Sequence, residues 1–216
     1  MCIRDRRSFI ELALEARALT FGEFTLKSGR VSPYFFNASA FSTGAQLRSL
    51  GRCYRDAIIN QRLEFGGLFG PAYKGIPLAS AVAVAFAEEG QDYPVSFNRK
   101  EVKDHGEGGT LLGAALSGRI LAIDDVVTAG TAVRESVNFI EAQGASLCAF
   151  CVAVDRQERG QEGSRSALAE LADTFHLVPI SILTLDDILA FAADDPRISS
   201  DVAPRIEAYR AKYGAS

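Results

Sequence analysis

Apolar and polar positions follow two rhythms along this chain, one of amphipathic helices and one of buried strands. Leu12, Ala13, Ala16 and Leu19 share a helical face behind Ser8-Phe9-Ile10-Glu11, a capping box that predicts the helix start. Thr43-Gly44-Ala45-Gln46 is a second capping box, with Leu47, Leu50, Tyr54 and Ile58 on the face that follows. Between them, Gly22 to Ser39 mixes Gly, Ser, Pro and aromatics, which predicts short strands and turns. After Phe65 the rhythm becomes regular. Strands are expected at Gly66–Gly70, Pro94–Asn98, Thr110–Leu116, Arg119–Ile123, Ser146–Val154 and Leu177–Leu183. Helices are expected at Ile76–Glu89, Thr131–Gln143 (stopping at Gly144), Ala167–Thr174, Leu185–Ala193 and Ser200–Tyr213. Arg99 to Gly109 is polar and Gly-rich and reads as a loop. Strand and helix in alternation predict an α/β fold, a doubly wound and mostly parallel sheet. Ligands of such sheets sit beyond the carboxyl ends of the strands.

Composition narrows the function. At 216 residues the chain suits one domain with a full apolar core, and 48% apolar with 23% charged residues excludes wholesale disorder. Its net charge of −4 disfavours a general binder of nucleic acid or membrane surface. No apolar run reaches bilayer length and the charged start lacks a signal-type stretch, so a cytoplasmic protein is expected. Four Cys and two His offer little for a disulfide framework or a structural zinc site. Cys148 and Cys151 lie three apart within a strand, and simple alternation would aim them to opposite faces.

The chemistry concentrates at Asp124-Asp125-Val126-Val127-Thr128-Ala129-Gly130-Thr131-Ala132. A buried strand delivers two carboxylates, then a small-residue turn opens a helix. Successive N–H groups, the helix dipole and Thr hydroxyls suit a phosphate there. The carboxylates cannot hold that phosphate, since like charges repel; they suit ribose hydroxyls or a hydrated Mg2+. An Asp-Asp pair alone would do no more than cap a helix, but the whole array asks for a phosphate with a diol beside it. Three further segments carry candidates. Phe97 to Gly109 holds Arg99, Lys100, Lys103 and His105 on what reads as a mobile lid. Ten extended residues reach at most roughly 33–36 Å, enough to enter a neighbouring subunit. Gly70 to Gly75 places Tyr73 and Lys74 after a strand. Thr25 to Asn37 offers Lys27 and aromatics against which a planar heterocycle would stack.

The acidic array resembles the 5-phosphoribosyl-1-diphosphate (PRPP) motif of type I phosphoribosyltransferases. With Phe21 to Asn37, Leu68 to Pro77, Phe97 to Gly109 and Asp155 to Gly160 in order, the chain resembles the orotate phosphoribosyltransferases from about Phe9 to Tyr213. Met1 to Arg6 and Gln161 to Arg165 depart from that pattern. The resemblance implies a single catalytic domain, 1–216, with a small N-terminal hood, mainly 1–40, and a PRPP-binding core at about 62–183. It implies the reaction of orotate with PRPP to orotidine 5′-monophosphate and diphosphate, in pyrimidine synthesis, with Mg2+ held mainly by PRPP and water rather than directly by the protein. It implies PRPP contacts at Lys27, Tyr73, Lys74, Arg99, Lys100, Lys103, His105 and the loop Asp124 to Ala132, and orotate contacts at Lys27, Phe35, Phe36, Thr128 and Arg156. Lys74, Lys103, Asp124 and Asp125 stand nearest the chemistry. It further implies a homodimer whose lid, 99–109, is shared across subunits. A PRPP-sensing regulator of the same fold would show a basic face or an added nucleic-acid module. A purine phosphoribosyltransferase would lack the matches at Phe35, Phe36 and Arg156.

Overall fold

The computed structural model describes residues 3–26, 28–103, 109–127, 130–160 and 163–215, of which 3, 4, 102 and 103 by main chain only. Eight strands and seven helices are assigned in it. They are α1 (Ile3–Glu15), β1 (Leu19–Thr25), β2 (Val31–Phe36), α2 (Gly44–Ile59), β3 (Gly67–Gly70), α3 (Gly75–Ala87), β4 (Val95–Lys103), β5 (Gly109–Gly113), β6 (Arg119–Val126), α4 (Thr131–Ala142), β7 (Ser146–Asp155), α5 (Ala167–Phe175), β8 (Val178–Thr184), α6 (Leu185–Asp194) and α7 (Val202–Tyr213). The main sheet has the order β5-β4-β3-β6-β7-β8. Its pairs are parallel except β4 with β5. This is the α/β architecture with a mostly parallel sheet that the alternation predicts.

Both faces of the sheet are covered, which is why the central strands are apolar on both sides. In β6, Leu121 and Ile123 enter one core with Leu50, Tyr54 and Leu78 from α2 and α3. Ile120 and Ala122 enter a second core with Val133, Val137 and Ile140 of α4 and Leu168 and Leu171 of α5. Each large apolar side chain so buried contributes about 1.5–3 kcal/mol. β1 and β2 form a separate antiparallel hairpin.

Three expectations need correction. The helix α1 starts by Ile3, so Ser8 lies inside it rather than capping it. The added turn is held from afar: Arg6 Nη1 donates to Asp187 (2.7 Å), and Arg7 to Asp194 and Asp195 (3.0 Å each). The polar segment after Asn98 is not loop throughout. β4 runs on to Lys103 and pairs with β5, Asn98 opposite Leu111 and Lys103 opposite Gly109. The described part of this segment is thus an edge strand with an irregular pairing to β5, and its side chains stay polar because that edge faces water. Lastly, a register shift at Ile120/Leu121 against β7 breaks the alternation. Cys148 and Cys151 consequently join the same core, as free thiols.

Candidate active site

β6 ends at the carboxyl edge of the sheet, and its last turn fixes the two acids. Asp125 N–H donates to Asp124 Oδ1 and Val126 N–H to Asp125 Oδ1, each at 2.9 Å. Tyr54 hydroxyl reaches up from α2 to donate to the Asp124 carbonyl at 2.8 Å. Both side chains are buried, Asp124 at 9% and Asp125 at 4% exposure. Burial, and next the charge of Asp125, push the Asp124 carboxyl up to about 7, against the Asp125 N–H and Lys74, which pull it down. Lys74 Nζ meets Asp125 Oδ2 at 2.5 Å while staying half-exposed. These two residues are far apart in sequence; the sheet order, which sets β3 beside β6, brings them together.

The Gly70–Gly75 turn holds Lys74 there because both of its end positions pack too closely for any side chain. A Cβ on Gly75 would lie 2.8 Å from the Ile123 carbonyl oxygen. The peptide Ala72–Tyr73 is cis. Ala72 N–H donates to Asn98 Oδ1 at 2.7 Å, which ties this turn to β4. Lys100 Nζ lies 5.2 Å from the centre of the exposed Tyr73 ring. A cleft of about 290 Å³ results, lined by Ala72, Lys100, Val126, Val127, Gly130, Thr131 and Ala132 among others. A larger cavity, about 710 Å³, lies beside α7 around Arg159, Glu207 and Arg210 and holds none of the candidate residues.

Helix α4 opens into the cleft without a side-chain cap. α2 and α6 carry full capping boxes, whereas Gly130 at the head of α4 has φ +76° and no side chain to offer. The N–H groups of its first turn therefore receive nothing from that position. Gly130 is also packed: a Cβ there would come within 2.7 Å of Leu171 Cδ1. Gly130→Ala is expected to lower stability by about 1–3 kcal/mol, from the left-handed backbone and the crowded Leu171. Thermal unfolding measures this; an unchanged melting temperature would show that the turn yields freely.

The remaining candidates divide. Phe35 is exposed and stacks on Phe24 (5.5 Å between centres), while Phe36 on the opposite side of β2 is buried against Phe9. Phe36 can thus offer a ligand its main chain but not its ring. Arg156, just past β7, is buried and joined to the hairpin through Ser32 Oγ at 3.4 Å. Arg99 leaves the sheet edge on β4, partly buried. Lys27, His105, Thr128 and Ala129 lie outside the described residues, as does the side chain of Lys103. Nothing in the local sequence marks Tyr54 or Asn98 as part of the site: Tyr54 reads as core and Asn98 as the end of a strand.

For Mg2+ the donor set is thin. Among the described residues no three His, Cys, Asp or Glu side chains cluster to hold a metal ion. Asp125 is engaged by Lys74, which leaves Asp124 and water. Such a set fits an ion that arrives with its own oxygen ligands, as Mg2+ on a diphosphate does.

Known proteins place the chain. A family model of the phosphoribosyl transferase domain matches residues 58–168. Orotate phosphoribosyltransferases from Pseudomonas putida and Pseudomonas aeruginosa are each 55% identical over 210 residues, covering 97% of this chain and 98% of theirs. The chain belongs to the orotate phosphoribosyltransferase family. The crystal structure of the Francisella tularensis orotate phosphoribosyltransferase superposes with a TM-score of 0.86 at 39% identity, covering 96% of this chain and all of that one. The family match covers the strands β3 to β7 that build the cleft, and the longer alignments take in the hairpin and α7 as well. Among the described residues no helix is long and apolar enough to cross a membrane.

Proposed function

We propose that this cleft binds PRPP and orotate and joins orotate N1 to the anomeric carbon of the ribose. The C1–O bond to diphosphate breaks with its electron pair leaving on the diphosphate, and the C1–N1 bond forms from the orotate anion. Orotidine 5′-monophosphate and diphosphate are the products, a step of pyrimidine synthesis. No covalent nucleophile on the protein is needed, since positioning and charge stabilisation suffice.

The observation that carries this reading is a buried carboxylate pair held by Lys74 at the carboxyl end of β6, followed along the chain by a cleft at the uncapped N-terminus of α4. The amides from Thr128 to Ala132 take the 5-phosphate, with Val126 and Val127 as the adjoining wall. Asp124 and Asp125 accept from the ribose hydroxyls. Lys74 stands over the same acids, placed to share its charge with the departing diphosphate, with Tyr73 and Lys100 beside it. Lys27, Arg99, Lys103 and His105 complete the cationic surround. Mg2+ bound to the diphosphate supplies further neutralisation of the leaving group. On the hairpin, which acts as the hood, Phe35 offers a flat face and Phe36 its main chain to the orotate ring, near Thr128. Arg156 takes the orotate carboxylate, a pairing suited to a guanidinium. The working unit is a cytoplasmic homodimer with the lid 99–109 shared between subunits.

The test is direct. Orotate absorbance is expected to fall when PRPP and Mg2+ are added, and to stay constant with a chelator present. Hypoxanthine and adenine should give no product. Turnover of either purine in preference to orotate would defeat the reading.

A further inference from the structure

The Glu158 carboxylate joins three segments that are distant in sequence. Its Oε1 accepts from Arg156 Nε (2.8 Å) and Nη2 (2.6 Å) and from the Tyr209 hydroxyl of α7 (2.7 Å). Its Oε2 accepts from Arg30 Nη1 (2.9 Å), whose guanidinium lies 5.0 Å over the Tyr213 ring. Arg156 is buried, its guanidinium 4.7 Å over the Tyr34 ring, and Nη2 is 3.4 Å from both Ser32 Oγ and Tyr209 Oη. The ring below fixes the plane of that guanidinium, and Glu158 fixes its rotation within the plane. None of these contacts uses Nη1. Two guanidiniums share one carboxylate in this bonded cluster, leaving one positive charge, the complement of a ligand carboxylate. A buried guanidinium without such a partner would be costly and free to turn.

We propose that Glu158 is a positioning residue for the substrate carboxylate. It holds Arg156 so that the Nη1 edge faces the ligand, and through Arg30 it locks the hairpin carrying Phe35 onto the same guanidinium. This rests on Arg156 as the group that binds the orotate carboxylate. Glu158 itself touches no substrate.

The experiment is a cycle of Glu158→Gln, Arg156→Ala and the double variant. Initial rates are measured with orotate varied at saturating PRPP, and the reverse. Glu158→Gln is expected to raise the KM for orotate about tenfold, the worth of one charge-assisted hydrogen bond, and to leave the KM for PRPP within about twofold. Arg156→Ala is expected to raise the orotate KM at least as much, and the double variant no further. Full additivity, or an equal rise in both KM values, would overturn the positioning role while leaving Arg156 as the orotate site. An unchanged orotate KM in Arg156→Ala would instead remove the reading on which the proposal stands. Tyr209→Phe guards against misfolding, because it deletes one donor to Glu158 and a longer contact to Arg156 but no charge. It should raise the orotate KM by a smaller factor at unchanged melting temperature, and no change in that KM counts against the proposal.

Discussion

Replacing Asp124 and Asp125 together by Asn is expected to cut kcat/KM for PRPP by about 10² to 10⁴ while raising the melting temperature at neutral pH. On the proposed reading each carboxylate offers a charged acceptor to a ribose hydroxyl, worth about 1.5–3 kcal/mol, and two such losses give that range. The stability gain comes from Asp124. Its carboxyl is pushed up to about 7, by burial first and by Asp125 second. In the unfolded chain it titrates near 3.9. Below that pH both states are protonated and the residue costs nothing. As pH rises towards 7 the unfolded chain releases the proton and the folded one keeps it, so folding loses stability; above about 7 the cost is constant. Asn at 124 removes this cost, so the gap in melting temperature should open between pH 4 and 7 and level off above. The opposing loss, Asp125 as partner of Lys74, is small because Lys74 is half-exposed and pairs of that kind contribute at most about 1 kcal/mol. For a chain of this size about 2–4 °C accompanies each kcal/mol. Scanning calorimetry from pH 4 to 8, beside PRPP titration, measures both halves. A double variant that melts below the parent at pH 7.5 would make the pair structural and not functional.

The same two acids show what a sequence discloses and what it withholds. The run Asp124 to Ala132 is contiguous, so its strand, turn and helix follow from local pattern alone. Thr43 and Gln46 likewise form the capping box that their spacing predicts, with Gln46 N–H donating to Thr43 Oγ1 at 3.3 Å and Thr43 N–H to Gln46 Oε1 at 3.2 Å. Ser8 and Glu11 carry the same spacing and do not cap, because Arg6 and Arg7 upstream find acids near the far end of the chain that no local window contains. The pairing of Lys74 with Asp125 depends on sheet order, and that of Arg156 with Arg30 and Tyr209 through Glu158 depends on how hairpin and α7 close over β7. Polarity misleads at residues 99–103 for a related reason. Beyond Phe97 the strand pairs with β5 alone and buries little, so its residues read as loop. In β7 one extra residue against β6 was enough to bring both thiols to one side.

That segment sets the second large effect. Lys103→Ala is expected to lower kcat about 10² to 10³-fold, as loss of a charge that acts on the leaving group does, while affinity for orotidine 5′-monophosphate changes by far less. The product lacks the diphosphate, so a cation that meets only the departing group contributes to the transition state and not to product binding. Equal losses in both would count against that role. Geometry adds a constraint. The last parallel pairing of β4 is Phe97 with Gly70, and beyond it the strand runs with β5 alone to Lys103. Lys100 already lies over Tyr73 at the cleft. Three further extended residues carry Lys103 about 10 Å past that point. A Lys103 that serves a diphosphate held beside Lys74 must then come from a lid that folds back, or from the lid of a second copy. Mixed oligomers separate these. Subunits with Lys103→Ala, exchanged with subunits lacking both Asp124 and Asp125 carboxylates, should regain activity through the one site that receives an intact acid pair and an intact lid. Sharing across subunits predicts up to about half the parent activity in each mixed dimer, since one of its two sites is whole. If exchange is verified by mass and no activity returns, the lid serves its own subunit.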